Sequence, residues 1–244
     1  MMKQGDTYYL FTAGNGITLQ RSRDLLAWEI SERVLKKIQG WTAEAVPGFN
    51  GHHLWAPDIS RVNGKYYLYY SVSTFGSNQS CIGLAANETL DPADPAYKWV
   101  DRGKVICSAA TDDFNAIDPN LAQDDSGRYW LALGSFWSGI KLVEIDPATG
   151  GLKANPPDIL SIAARPDTPE HPIEAPFIFQ RGDFYYLFVS FDFCCKRANS
   201  TYNIRVGRAQ EITGPYLDRD GKAMLAGGGT LVLESADDMR GPGH

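Results

Sequence analysis

The sequence predicts an all-β protein of the β-propeller class, and an internal repeat is the main reason. An aromatic motif occurs four times, with steps of 58, 63 and 56 residues between copies. The copies are Tyr8–Phe11, Tyr66–Tyr69, Tyr129–Ala132 and Tyr185–Phe188. A proline stands 9 or 10 residues before three of them, and helix signals are weak throughout. All-β units that repeat at such a period are typical of β-propellers.

Each repeat predicts four antiparallel strands, which follow one another in the chain. The first strand begins around the proline that recurs in three of the repeats, at Pro57, Pro119 and Pro176. A turn such as Asn63-Gly64 then leads into the aromatic motif, which forms the second strand. Alternating aliphatic residues mark the third strand at Ile17–Leu19, Ile82–Leu84, Ile140–Leu142 and Ile204–Val206. The fourth strand is expected near Trp28, Trp99, Leu160 and Leu231.

The period also predicts how much of the propeller the sequence contains. In the first repeat the proline would fall just before Met1, and Gly241–His244 arrives where a fifth repeat should begin. We therefore expect a single, incomplete propeller domain over residues 1–244, with about four blades. The start of blade one and most of blade five would be absent. A closed four-bladed ring and a β-sandwich with accidental similarity are the alternatives.

Composition narrows the classes of partner. The net charge of the 244 residues is −6 and no block of Lys or Arg occurs, which argues against nucleic acid and anionic membranes as partners. No apolar run reaches the ~18 residues of a membrane span, and Met1–Asp6 lacks the apolar core of a signal peptide. A neutral ligand such as a sugar suits an acidic chain with 12% aromatic residues.

The four cysteines do not indicate a zinc site, because none of them forms a Cys-x-x-Cys pair. They are Cys81, Cys107, Cys194 and Cys195. For the neighbours Cys194 and Cys195, either two buried thiols or a vicinal disulfide is compatible with the sequence.

The chemistry is expected where the innermost strands begin, since these strands line the central channel of a propeller. Asp118 precedes Pro119, and Glu174 stands at what we take as the same position of the next repeat. We expect both to face one another at the channel mouth, ringed by loops 71–81, 134–139 and 190–203. Two such carboxyl groups are the equipment of a glycoside hydrolase. Taken alone, Asp118 could be a turn residue and Glu174 a solvated acid, and Asp58 is predicted to be structural.

Several motifs together resemble the endo-acting arabinanases of glycoside hydrolase family 43. They follow in the same order over nearly the whole chain: Gly51–Ile59, Tyr69–Ser73, Asn115–Pro119, Gly134–Trp137, Ile173–Phe177, Cys194-Cys195, Ser200–Tyr202 and Val206–Arg208. The resemblance implies a five-bladed propeller that cleaves internal α-1,5 bonds of arabinan with inversion. It also implies that the full-length parent is secreted or extracellular; the oligomeric state stays open.

The resemblance assigns roles to particular residues. Glu174 would be the general acid, and Asp118 would tune its pKa and orient the sugar. The substrate groove would be lined by Gly76, Asn115, Ala116, Ile117, Ser135, Phe136, Trp137 and Trp55. His244 would help to hold a hydrated calcium ion in the channel. The family's general base, an aspartate at the start of blade one, has no counterpart in this sequence. An arabinan-binding propeller without activity is therefore the main alternative.

Overall fold

A computed structural model describes residues 1–244 as four antiparallel sheets, which are the blades of a propeller. The first blade comprises β1 (Met2–Gln4), β2 (Thr7–Thr12), β4 (Thr18–Ser22) and β5 (Glu29–Arg33). The second comprises β3 (Gly14–Asn15), β6 (His53–Val62), β7 (Lys65–Val72), β8 (Ser80–Asn87) and β9 (Val100–Ser108). The third comprises β10 (Asn120–Gln123), β11 (Tyr129–Leu133), β12 (Ile140–Ile145) and β13 (Leu160–Ala163). The fourth comprises β14 (Ile173–Arg181), β15 (Phe184–Phe191), β16 (Asn203–Ala209) and β17 (Thr230–Leu233).

The predicted all-β propeller is confirmed, and each aromatic motif forms the second strand of its blade. Helix is confined to α1 (Trp41–Ala45) and two single 3₁₀ turns, Arg197–Asn199 and Met224–Ala226. No helix of the structure is long and apolar enough to cross a membrane. The β-sandwich alternative is wrong, because the strands form four separate sheets in chain order rather than two facing ones.

A short strand that the sequence did not predict joins the first two blades. In β3, Gly14 pairs with Leu54 and Asn15 pairs with His53, so the first repeat adds two residues to the edge of the second blade. The turn after β3 depends on Gly16, because a Cβ there would lie 2.1 Å from the carbonyl oxygen of Leu35. Two residues without alternating hydrophobicity carry no strand signal, which explains why the pattern missed this pairing.

Polar side chains tie the innermost strands together across three blades. The amide of Asn120 in β10 donates to Asp58 Oδ1 at 3.2 Å, and its oxygen accepts from the backbone of Ile178 at 2.8 Å. Asp58 Oδ2 also accepts from the backbone of Leu121 at 3.0 Å. Asp58 therefore links β6 to β10, and this supports its predicted structural role. Burial raises the pKa of Asp58, while these hydrogen bonds act in the opposite direction.

The hydrophobic core is divided into three layers, each shared by two neighbouring blades. Tyr9 and Leu68 belong to the layer between blades one and two, and Leu84 and Leu131 to the next. This arrangement follows from a sheet that buries residues on both faces, because each blade packs against a blade on either side. The fourth blade differs, since Phe177 and Phe179 on β14 are each 51% exposed.

All four cysteines form disulfides. Cys81 in β8 and Cys107 in β9 are direct partners in the ladder and are bonded to one another. Cys194 and Cys195 form a vicinal disulfide in the loop between β15 and β16. The bond between strands was not predicted, because no feature of the sequence pairs two cysteines 26 residues apart.

Candidate active site

The residue before each of the three repeat prolines has a left-handed backbone. The φ angles are 44° at Ala56, 56° at Asp118 and 55° at Ala175. A proline normally holds its predecessor in an extended conformation, so this geometry is costly, and here it recurs in three blades. The strand pairing shifts at the same point, between Trp55 and Asp58 and between Glu174 and Phe177. Each innermost strand therefore begins with a kinked head.

When the repeats are aligned on their prolines, the two carboxylates stand one position apart. Asp118 occupies the position of Ala175, directly before the proline, whereas Glu174 occupies the position of Ile117. The prediction that they share one repeat position is wrong by one residue. The two strand heads are nevertheless adjacent, because Asp118 Oδ2 accepts from the backbone nitrogen of Ala175, the residue after Glu174, at 3.2 Å.

Asp118 is held in a buried environment with an exposed fraction of only 6%. Its backbone nitrogen donates to Ser71 Oγ at 2.9 Å, which ties the segment around Asp118 to β7 of the second blade. Burial raises the pKa of Asp118 to about 7, and the nearby charge of Glu174 acts in the same direction. His244 and the backbone of Ala175 oppose this shift. Asp118 can therefore change its charge near neutral pH.

Glu174 is half-buried, and hydroxyl groups contact both oxygens of its carboxylate. Ser135 Oγ donates to Oε2 at 2.6 Å, and the Tyr202 hydroxyl donates to Oε1. Ser135 comes from the loop after β11, where it also forms a backbone bridge with Glu174. Tyr202 comes from the loop before β16. Two of the three predicted loops, 134–139 and 190–203, therefore converge on Glu174.

The contacts of Tyr202 and Ser71 are not predicted by the sequence pattern. Both residues lie in motifs that carried the family resemblance, but no role was assigned to them there. Tyr202 lies outside the repeated positions, so periodicity could not single it out. Ser71 is an alternating residue of an apolar strand, and such a serine gives no sequence signal for a hydrogen bond to a residue 47 positions away.

The segment before Asp118 lies mostly below the surface. Asn115 is 3% exposed, Ala116 has no exposed surface and Ile117 is 6% exposed. Because Ala116 has no exposed surface, it packs inside the protein, and its place in the groove stays a prediction. The structural role of Ala116 is clear from its backbone nitrogen, which donates to Ser108 Oγ at 2.8 Å. Asn115 Oδ1 is buried without a hydrogen-bond partner.

Phe136 and Trp137 are half-buried and lie on a strained loop. Their φ angles of 56° and 42° are both left-handed. The loop is closed tightly, since a Cβ on Gly134 would lie 2.5 Å from the carbonyl oxygen of Gly139. The ring of Phe136 lies 5.9 Å from the ring of Phe193, which precedes the vicinal disulfide. These two rings form an aromatic wall beside Ser135 and Glu174.

Gly76 and Trp55 lie on the second blade. Gly76 is exposed in the loop between β7 and β8, beside Phe75, which is 86% exposed. Asn78 ties this loop to the segment that leads to Asp118, because its amide donates to carbonyl oxygens of Asp112 and Phe114 at 2.9 and 3.3 Å. Trp55 is half-buried on β6, opposite Ser71 in the ladder.

His244 lies beside Asp118, with 4.0 Å between its Nδ1 and Oδ2 of the aspartate. Calcium prefers six to eight oxygen ligands, and a single imidazole nitrogen is a poor substitute. No group of three or more His, Cys, Asp or Glu side chains is placed to hold a metal ion. The residues of this chain therefore do not form a calcium site from their own side chains.

Comparison with known proteins identifies relatives that align with the whole chain. The chain is 45% identical over 254 residues to an extracellular exo-α-(1→5)-L-arabinofuranosidase of Cellvibrio japonicus, and covers 72% of it. It is 44% identical over 247 residues to an extracellular endo-α-(1→5)-L-arabinanase of Bacillus subtilis, and covers 74% of it. Both alignments include 100% of the present chain.

Solved structures give the same result. A Cellvibrio cellulosa α-L-arabinanase in complex with arabinohexaose superposes with a TM-score of 0.93 at 43% identity, over 99% of this chain and 79% of that one. An exo-1,5-α-L-arabinanase from a bovine ruminal metagenomic library superposes with a TM-score of 0.92 at 48% identity, over 97% and 78%. The model of the family described as glycosyl hydrolases family 43 matches residues 1–244. The chain therefore belongs to glycosyl hydrolase family 43.

Proposed function

We propose that this protein hydrolyses internal α-1,5-L-arabinofuranosidic bonds of arabinan, as part of an acid/base carboxylate mechanism. The observation that carries the proposal is the pairing of Asp118 and Glu174 at the heads of neighbouring innermost strands. Relatives named as arabinanases support arabinan as the substrate. Release of reducing ends from linear arabinan, absent in Glu174→Gln, is the test. Equal release by both proteins would contradict the proposal.

In the proposed mechanism Glu174 donates a proton to the leaving glycosidic oxygen. Burial and the nearby charge of Glu174 raise the pKa of Asp118, so the two carboxyl groups interact electrostatically. The aromatic wall of Phe136 and Phe193 offers apolar faces for the C–H surfaces of the sugar. Inversion of the anomeric carbon is part of the proposal, and NMR of the first product anomer tests it.

Cleavage of internal rather than terminal bonds is the finer part of the proposal. Relatives of both kinds match almost equally, at 44% and 45% identity. The exposed loop with Phe75 and Gly76 leaves the second blade open to solvent, which suits a chain that runs through the site. Viscosity that falls much faster than reducing ends appear is expected. Release of a single oligosaccharide from the start would instead show action at chain ends.

Binding of arabinan without hydrolysis is the second candidate function. It is favoured by one observation: the titratable side chain found beside Asp118 and Glu174 is His244, at 4.0 Å from Asp118, and it is not a carboxylate. An inverting glycosidase needs a carboxylate base to activate water. Calorimetry with arabino-oligosaccharides, run beside product analysis, separates the two functions. Tight binding with no product over days would establish this candidate.

Secretion and calcium are two further parts of the proposal. Both close relatives described above are named extracellular, and disulfides persist in oxidising compartments, which supports a secreted parent. Fractionation of the producing cells tests this. A calcium ion here would take most of its ligands from water, because His244 is the one side chain proposed to hold it. A melting temperature that falls with EDTA and recovers with calcium would support the ion; an unchanged one would argue against it.

A further inference from the structure

We propose that Tyr202 is a positioning residue that aims the Glu174 carboxyl group at the glycosidic oxygen. This inference rests on the proposed function of Glu174 as the acid and adds a second residue on which that function depends. Tyr202 does not belong to the innermost strands, and neither the repeat nor the predicted groove includes it.

The geometry shows a clamp with one hydroxyl for each carboxylate oxygen. Tyr202 donates to Oε1 of Glu174 from the fourth blade, and Ser135 donates to Oε2 from the third. A carboxyl group held at one oxygen can still rotate about its last bond, whereas one held at both cannot. Because proton transfer requires the acid within hydrogen-bond reach of the leaving oxygen, a fixed orientation favours catalysis.

Tyr202 is itself fixed by its surroundings. It is 4% exposed, and the chain segment Gly241–Gly243 packs on its ring. A Cβ on Gly243 would lie 2.1 Å from a ring carbon of Tyr202, so only glycine permits this approach. Ser190, the ladder partner of Glu174, lies beside the tyrosine hydroxyl. The ring therefore has no room to swing away from Glu174.

The hydroxyl also keeps its proton. Burial raises the pKa of Tyr202 far above its ordinary value, and the negative charges of Glu174 and Asp118 add to the shift. The group therefore remains a hydrogen-bond donor over the whole range of pH in which a glycosidase works. Ser135 differs, because its hydroxyl can rotate toward other acceptors at little cost.

Tyr202→Phe is the decisive variant, since it removes only the hydroxyl. We expect kcat on arabinotetraose to fall about tenfold to a hundredfold, with KM changed less than about twofold, because ground-state binding is untouched. A nitrophenyl arabinotrioside needs little help from an acid, because its leaving group is stable as an anion. On that substrate we expect less than about threefold loss.

The control is Tyr216→Phe, which removes a buried hydroxyl of the same blade that donates to the carbonyl of Ile212 at 2.8 Å. It should not change the dependence on leaving group. An equal loss on both substrates in Tyr202→Phe, or a change in KM alone, would overturn the inference.

A crystallographic comparison keeps the inference testable if the protein does not hydrolyse arabinan at all. In that case the proposed function fails on its own account, with the parent protein inactive. Glu174 should still occupy one rotamer in the parent and several in Tyr202→Phe. A single unchanged rotamer in both proteins would refute the clamp, whatever the activity. If Tyr202→Phe does not fold, Ser135→Ala, which removes the other hydroxyl of the clamp, is used in its place, and the same dependence on the leaving group is then expected.

Discussion

Asp118 Oδ2 accepts a hydrogen bond from the backbone nitrogen of Ala175, the residue that occupies the position of Asp118 in the next blade. The two heads of neighbouring innermost strands are therefore joined by a side chain of one and the backbone of the other. This contact brings the following carboxylate, Glu174, into the environment of Asp118. The resulting pair is the basis of the first two predictions.

Glu174→Gln should abolish most hydrolysis of arabinan while the fold is kept. The amide still has an oxygen for one of the two hydroxyls of the clamp, but it has no proton to give to the leaving oxygen. General acid catalysis contributes about 10²–10⁴-fold, so a loss of this size in kcat is expected. Reducing-end assays measure it, and circular dichroism with thermal melting shows whether the fold survives. Normal turnover in a folded variant would remove Glu174 from the role of acid.

Asp118→Asn should stabilise the fold at neutral pH and lower activity. The pKa of Asp118 is raised from 3.8 to about 7, so the folded protein holds this proton more tightly than the unfolded chain. The contribution of Asp118 to stability is therefore fully present below about pH 4 and is lost as the pH rises toward and through 7, by at most about 4 kcal/mol. The amide cannot ionise and avoids this loss.

Urea unfolding at pH 5 and pH 8 tests this prediction. The advantage of Asp118→Asn over the parent should be larger at pH 8 than at pH 5. Asp220→Asn is the control, since that side chain is 81% exposed and should show no such difference. A variant of Asp118 that is less stable at pH 8 would contradict the raised pKa.

The two disulfides should contribute very differently to stability. Cys81 and Cys107 close a loop with a sequence separation of 26, whereas Cys194 and Cys195 are adjacent. The entropy that a crosslink removes from the unfolded chain grows with the loop it closes. Replacing Cys81 and Cys107 with alanine should lower the free energy of unfolding by about 3 kcal/mol. The double serine variant of Cys194 and Cys195 should lose far less, and the reverse order would refute this account.

Asn120→Ala should weaken the contacts between three blades. The substitution leaves Asp58 Oδ1 without its hydrogen bond from Asn120 and the backbone nitrogen of Ile178 without an acceptor. Each unpaired buried group costs about 1–3 kcal/mol, so a loss of about 3 kcal/mol is expected. Asn199→Ala is the matched control, because Asn199 is exposed and its backbone is not left-handed. Chemical denaturation of both variants gives the comparison.

Gly134→Ala should disturb the loop that carries Ser135. Gly134 has a φ of +132°, and a Cβ there would meet the carbonyl oxygen of Gly139 at 2.5 Å. Backbone strain of this kind costs about 1–3 kcal/mol, and the loop must shift to relieve it. Stability and kcat should therefore fall together. Gly151→Ala, where the nearest atom is 3.5 Å away, should change neither, and matching losses in both variants would count against the argument.

The repeat predicted the blades well because four copies of one motif carry the same information several times. Tyr8, Tyr66, Tyr129 and Tyr185 set the period, and the prolines and alternating aliphatic residues around them place the other strands. The kinked backbone before each repeat proline is not predicted. A left-handed residue before a proline is contrary to its usual preference, so the sequence suggests an ordinary extended strand.

Contacts between distant positions could not be predicted from the pattern. The bond between Cys81 and Cys107, the bridge of Asn120 and the contact of Tyr202 with Glu174 each join residues that periodicity does not relate. Such contacts depend on how neighbouring blades face each other, which is a property of the folded chain. A single sequence contains the period of the blades but not the side-chain partners between them.

The kinked head before the proline has a consequence for how such enzymes acquire and lose chemistry. One backbone shape is present in three blades, and it is occupied by Ala56, Asp118 and Ala175. Two of these occupants are inert methyl groups and one is an acid. The repeat thus places three positions with the same backbone conformation at the starts of the innermost strands. A single substitution at any of them can introduce a reactive side chain without a change of fold.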